Sequence, residues 1–301
     1  MPDANEATID PTRRTAELPW GRVSCLEWMP AAPADASVVL LLHGGGLDSA
    51  WLSWGEVGGR LAAAGHRVIA PDLPGYGRSP RAPWRATQGA LLACVDGVVA
   101  ALGLERYALG GLSMGGGLTI GHALTHPERV RGAMLLGSYG LMPTLIEGPL
   151  APVAQALSWA ATRTSVLPAM SRASTSSRRT LDRSLRPVLR DPRRRTPELL
   201  DAIIAEAEGG SADVFAQWQR AEVGPRRQAT DYSARLAELA VPALVVHGER
   251  DTGVPAAVAR RAAASIPDAR LVVVPDAGHW VQRDRPDVVV PAMLEFLASL
   301  R

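Results

Sequence analysis

Short apolar runs alternate along the chain with longer stretches whose apolar positions recur at helical spacing. The runs predict strands at residues 23–28, 38–42, 68–71, 107–110, 132–136, 243–247 and 270–274. Five of those from Val38 onward are almost continuously apolar rather than alternating, the pattern of strands buried on both faces of a parallel sheet. Between them the spacing predicts helices at 54–64, 87–102, 114–126, 256–265 and 287–300. Strands alternating with helices make an open α/β sheet with helices on its faces. The alternation stops after Ser138 and resumes near Ser233, and the intervening prolines and helical stretches carry no strand pattern. An α-helical insertion over 139–231 is therefore expected inside a core formed by 19–138 and 232–301. Residues 1–18 are polar and aperiodic and are expected to form a flexible arm.

Composition narrows the chemistry. The 301 residues are 47% hydrophobic and 21% charged, as in a folded globular protein. A net charge of +2 gives no electrostatic reason to expect nucleic acid or an anionic membrane as partner, which leaves a small molecule. All 32 basic residues are arginines, so Schiff-base chemistry and a P-loop lysine are excluded. The 2 cysteines, Cys25 and Cys94, are too few and too far apart for a metal cluster or a CxxC site, and they are read as reduced and packed. The first twenty residues lack the apolar stretch of a secretory signal, so a cytoplasmic protein is expected. The longest uncharged run, 107–127, is broken by six glycines and two histidines and makes a poor membrane span.

That run holds the strongest chemical signal, Gly111-Leu112-Ser113-Met114-Gly115. This G-x-S-x-G follows an apolar strand and opens a helix, the strand–turn–helix setting that projects a serine hydroxyl beyond a sheet. Ser113 reads as a nucleophile, and a serine needs a base and a group to orient that base. His279, on a loop after the 270–274 strand, is placed to serve as base. His66, His122, His126 and His247 read as structural. Asp251, in the loop after the 243–247 strand, is the orienting acid, with Glu249 as a weaker rival. The chain order Ser113, Asp251, His279 is that of hydrolases built on this kind of sheet. At the end of the 38–42 strand, His43-Gly44-Gly45-Gly46 offers backbone N–H groups for a developing oxyanion. Gly45 and Met114 are assigned to that hole, with Gly46 as the alternate donor and His43 as a brace. Trp51, Trp159, Trp218 and Trp280, together with Phe215, are candidates to line an apolar substrate pocket.

With these residues in place the chain resembles the α/β-hydrolase superfamily over about residues 20–138 and 232–301, including the turn Asp72-Leu73-Pro74-Gly75-Tyr76-Gly77-Arg78-Ser79. The resemblance implies a mostly parallel eight-stranded sheet, a helical cap at 139–231 and an active site between them. Within the superfamily, His43–Gly46, Ser113-Met114-Gly115 and Gly278-His279-Trp280 look like the meta-cleavage-product hydrolases, which cut a carbon–carbon bond in vinylogous 1,5-diketones. The segment from Leu136 to Leu141 is similar to the one that enters the cap in that group. Two features depart from it. Leu47-Asp48 follows the glycine run where a proline is usual, and Arg178, Arg179, Arg183, Arg186 and Arg190 are equal candidates for the arginine that holds the substrate carboxylate. Serine at the turn separates the chain from epoxide hydrolases and haloalkane dehalogenases, which carry aspartate there.

The expectation from sequence is a serine hydrolase of small to medium apolar carboxylic esters acting through an acyl-enzyme, with no metal and no cofactor. Carbon–carbon bond hydrolysis of the meta-cleavage-product type is the alternative. A non-catalytic ligand-binding protein on the same scaffold is a third reading, and the complete triad speaks against it.

Overall fold

The computed structural model describes residues 8–300. Eight strands form one sheet: β1 (Thr12–Leu18), β2 (Gly21–Trp28), β3 (Val38–Leu42), β4 (Arg67–Pro71), β5 (Tyr107–Leu112), β6 (Val130–Leu136), β7 (Ala243–Gly248) and β8 (Ala269–Val274). Their spatial order is β1-β2-β4-β3-β5-β6-β7-β8. β2 runs antiparallel to both β1 and β4, and every other neighbouring pair is parallel. Crossover helices cover both faces of the parallel part, which is why β5 and β7 are buried at every position.

The expected arm is corrected in part. Thr12–Leu18 is an edge strand paired along its whole length with β2, while residues 1–7 lie outside the described residues. Only Ala16 of β1 is buried, so the strand carries almost no apolar signal. Backbone pairing, not side-chain burial, defines it.

Three helices follow strands in the first part of the chain: α1 (Ala50–Ala63), α2 (Gln88–Ala101) and α3 (Met114–Thr125). α1 starts a turn earlier than the apolar spacing predicts because the Ser49 hydroxyl caps it, accepting from Leu52 N–H. Between β6 and β7 lie α4 (Ala151–Thr162), α5 (Val166–Ser174), α6 (Arg178–Leu185), α7 (Pro197–Glu208) and α8 (Ser211–Glu222). The chain closes with α9 (Ala256–Ser265), the short α10 (Val281–Asp284) and α11 (Pro286–Ser299).

Two apolar layers sandwich the sheet. One joins residues of α2, α3 and α9, and the other joins residues of α1 and α11. The inserted helices reach both: Val214 and Trp218 of α8 enter the first, while Leu181 of α6 and Leu199, Leu200 and Ile203 of α7 enter the second. The insertion is thus seated astride the sheet. Cys25 and Cys94 are free and buried, and burial pushes both thiols up to about 12. No helix among the described residues is long and apolar enough to cross a membrane.

One polar contact between insertion and core is pH-sensitive. The Glu206 carboxylate of α7 accepts from Gly77 N–H at 2.8 Å. Burial pushes its carboxyl up to about 7; the Gly77 bond opposes the rise and the charges of Asp72 and Asp48 add to it. A carboxyl with a raised folded pKa keeps a proton that the unfolded chain has released. Stability therefore falls as pH rises from about 5 to about 7, by about 2 kcal/mol after allowance for partial exposure. Glu206→Gln should flatten that fall and be more stable than the parent at pH 8, as read by urea unfolding at pH 5 and pH 8. An unchanged pH dependence in the variant would exclude Glu206 as its source.

Candidate active site

The turn from β5 into α3 places Ser113 in a conformation that side chains rarely adopt, φ 52° and ψ −115°. Such backbone strain costs on the order of 1–3 kcal/mol and persists only where the surroundings enforce it. They do so by close packing. A Cβ on Gly111 would strike the Gly115 carbonyl, and one on Gly115 would strike the carbonyls of Leu42 and His43. The first turn of α3 therefore lies directly against the end of β3. Ser113 N–H donates to Leu136 O at 2.9 Å, and its carbonyl accepts from Tyr139 N–H at 2.9 Å and Gly117 N–H at 3.0 Å. These bonds tie the turn to β6 and to the segment entering the insertion.

Asp251 and His279 meet as expected from the sequence. His279 Nδ1 lies 2.7 Å from Asp251 Oδ2. The other Asp251 oxygen accepts from Gly253 N–H at 2.7 Å and Val254 N–H at 3.0 Å, which fixes the carboxylate before it meets the ring. Burial opposes the charge on Asp251, but the hydrogen bond and charge of His279 and the Val254 N–H outweigh it and hold the carboxyl below its ordinary value. With Nδ1 committed to Asp251, Nε2 is the ring nitrogen left to exchange a proton. The His279 ring packs against Gly137, the residue after the strand that holds Ser113 N–H, so base and serine share one strand end. Glu249 is exposed and its carboxylate faces Asp276 N–H instead.

The glycine loop is held from below by a buried carboxylate. Asp48 accepts from Gly44 N–H at 2.7 Å, Ser49 N–H at 2.8 Å and the Ser53 hydroxyl at 2.7 Å. Burial raises its carboxyl against the pull of His43 and these three donors. His43 braces the loop from the side, with Nδ1 2.7 Å from Gly44 O and Nε2 accepting from Leu73 N–H at 2.9 Å. The N–H groups of Gly45 and Met114 have no hydrogen-bond partner among the described residues, whereas Gly46 N–H is turned to the Tyr76 hydroxyl, and α3 abuts this loop.

Over the loop lies an aromatic roof. The Phe215 ring of α8 occupies the space a side chain at Gly45 would need. Phe215 stacks on Trp218 with ring centroids 5.5 Å apart, and Trp218 meets Tyr139 edge-on at 4.7 Å. Trp218 Nε1 donates to Gln88 Oε1 at 3.1 Å. Of the four tryptophans considered for the pocket, Trp218 joins this roof and Trp280 is buried in the core layer beside the His279 loop. The other two are placed elsewhere. Trp51 lies 47% exposed on α1, over Gly55, because the buried face of that helix is set by Leu52, Trp54 and Val57. Trp159 carries the Arg163 guanidinium 4.5 Å above its ring. Arg178, Arg179, Arg183, Arg186 and Arg190 are all exposed.

A residue that sequence reasoning missed ties the insertion to the loop bearing His279. The Asp284 side chain is buried and accepts three backbone N–H groups: Gly278 at 2.7 Å, Asp191 at 2.7 Å and Arg190 at 2.9 Å. Nothing in Val281-Gln282-Arg283-Asp284 signals this, because the two partners in the insertion, Arg190 and Asp191, lie more than ninety residues away in sequence.

Comparison with known proteins bears on the family and the fold. A family model described as the alpha/beta hydrolase fold matches residues 37–286. The chain is 32% identical to a 2-hydroxy-6-oxo-6-phenylhexa-2,4-dienoate hydrolase of Burkholderia cepacia, over 88% of this chain and 89% of that protein. It is 31% identical to a 2-hydroxy-6-oxononadienedioate/2-hydroxy-6-oxononatrienedioate hydrolase of Burkholderia vietnamiensis, over 86% of each. Among solved structures, a thermophilic esterase from Thermogutta terrifontis shares the fold with a TM-score of 0.72 at 24% identity, covering 96% of this chain and 99% of that one.

Asp284→Ala strips three buried N–H groups of a charged acceptor. It should cost about 3 kcal/mol of stability and lower turnover by disordering the His279 loop, measured by urea unfolding and by hydrolysis rates on the folded variant. A variant as stable as the parent would show that the three bonds carry no weight.

Proposed function

This chain belongs to the alpha/beta hydrolase family and is a hydrolase, and from that premise we propose that it cleaves a carbon–carbon bond in a 2-hydroxy-6-oxo-dienoate with Ser113 as nucleophile. What carries the reading is the naming of the relatives that match along nearly the whole chain: those at 32% and 31% identity are both hydrolases of such dienoates. The geometry supplies a mechanism. His279 takes the proton of Ser113 as its oxygen adds to the 6-oxo carbon, and Asp251 stabilises the imidazolium. The oxygen that becomes anionic is received by Gly45 and Met114 N–H groups, each worth about 3 kcal/mol in the transition state. The tetrahedral carbon collapses to an acyl-enzyme as the C5–C6 bond breaks. That bond breaks in the keto tautomer, formed when the 2-hydroxyl proton moves to C5; its electron pair then passes through C4 and C3 to the 2-oxo oxygen as a dienolate, which takes the proton held by His279 and departs. Water, deprotonated by His279, then attacks the acyl carbon and frees Ser113.

Ester hydrolysis is the second reading, and one observation favours it. All five insertion arginines considered for holding a substrate carboxylate point to solvent, Arg178 paired with Asp201 and Arg186 with Asp182. The buried positions on α6 and α7, Leu181, Leu199, Leu200 and Ile203, are apolar and pack into the core layer, so these helices turn no buried cation towards a substrate carboxylate. An ester needs the same triad and oxyanion donors and no cation.

Both readings require Ser113. Ser113→Ala should fold and bind substrate yet lose at least a thousandfold in turnover; more than a few per cent of parental activity would remove Ser113 from the mechanism. Single-turnover comparison of a 2-hydroxy-6-oxo-dienoate with p-nitrophenyl esters of increasing acyl length separates the two. Faster cleavage of the dienoate is the expected outcome, and ester cleavage without dienoate turnover would overturn it in favour of an esterase.

A further inference from the structure

Near the C-terminal end of α3, His122 in its last turn and His126 at its cap both meet Asp96 of α2. His122 Nδ1 lies 2.8 Å from Asp96 Oδ1, and His126 Nε2 lies 3.7 Å from the same oxygen. The two imidazole rings are 4.7 Å apart, and one donor atom from each of the three residues falls within 4.8 Å of the others. Sequence reading gave both histidines structural roles and expected no metal. We propose that Asp96, His122 and His126 form a binding site for a divalent transition-metal ion of the Zn2+ class.

Three observations support it. Zinc bonds of about 2.0–2.1 Å to nitrogen and oxygen set donor atoms about 3.3 Å apart around a tetrahedron, and the separations of 2.8 and 3.7 Å bracket that value. His126 is the residue that caps the end of α3, and its N–H donates to His122 O, which sets its ring beside the His122 ring four residues earlier, the sequence spacing at which two histidines can share one ion. The far nitrogen of His122 is also spoken for: Tyr107 Oη lies 2.5 Å from Nε2, fixing the ring so that Nδ1 points at Asp96. An outer partner of this sort orients metal-bound histidines in general. Asp96 and His126 side chains are 44% and 31% exposed, which leaves the remaining coordination positions open to water. Arg129 is the cation that acts on this cluster, and its guanidinium is engaged by Glu128 at 3.9 Å.

The ion would take no part in hydrolysis. Nine residues of helix separate Ser113 from His122, a rise of about 13 Å. Its effect is to tie the last turn of the nucleophile-bearing helix to α2, so it acts on stability and leaves turnover alone.

The test uses the full-length protein, stripped with chelator and titrated with Zn2+ alone. The expected result is one saturable site by calorimetry and a rise in Tm that grows with Zn2+ concentration. His126→Ala and Asp96→Asn, both at partly exposed side chains, should each weaken binding at least tenfold and abolish the Zn2+-dependent rise in Tm. His66→Ala, which removes a histidine bonded to Ser37 elsewhere on the surface, should leave both intact. Co2+ should give d–d absorption in the parent that His126→Ala lacks, a readout independent of fold stability. Parental binding no tighter than that of His126→Ala, or loss of binding in His66→Ala alone, would overturn the site.

Discussion

The contact between the first turn of α3 and the end of β3 governs the rest of the structure. At Gly111 and Gly115 the backbone of one element touches the backbone of another, with no room for a methyl group. That approach holds Ser113 at positive φ and directs its hydroxyl off the sheet. It also presses the α3 N-terminus against the glycine loop, so the unbonded N–H groups of Met114 and Gly45 stand at adjoining ends of helix and loop. Every other part of the site is fastened to this turn. β6 holds Ser113 through Leu136, and Gly137 at the end of β6 receives the His279 ring.

The parts of this arrangement legible in the sequence are those in which local chemistry and fold demand the same residues. Buried parallel strands need continuous apolar runs, and β3, β5, β6 and β7 have them. The serine turn needs glycines on both sides, so it leaves a pattern that can be read. Asp251 and His279 were found by a positional rule, since each follows directly on a strand at the same edge of the sheet. What stayed hidden depends on partners distant in sequence. β1 is polar because an edge strand is specified by its pairing, and Asp284 is one aspartate among many until Arg190 and Asp191 are brought to it. Aromatic residues were ambiguous for a similar reason. Trp51, Trp218 and Phe215 look alike as candidates in sequence, yet helix phase alone turns Trp51 outward while Phe215 is set on Gly45.

Polar groups inside the molecule follow one rule: each buried carboxylate near the site is surrounded by donors. Asp48 has Gly44, Ser49 and Ser53; Asp251 has Gly253, Val254 and His279; Asp284 has Gly278, Arg190 and Asp191. Most of these donors are backbone N–H groups, so the loops themselves are shaped around the acids. The glycine loop, the loop after β7 and the loop bearing His279 are each wound about one aspartate. The geometry of the site is thus built into backbone conformation, with side-chain packing as a second constraint.

The Asp284 carboxylate joins the base loop and the inserted helices through a single group. An excursion of the insertion that lifted residues 190 and 191 from the sheet would take two of the three donors from that carboxylate and expose two amides together. The opposite flank is tied as well, by Trp218 to Gln88, Glu206 to Gly77 and Arg81 to Asp213. The insertion is thus pinned to the core on both sides, and the loop bearing His279 is clamped beneath one of the pins.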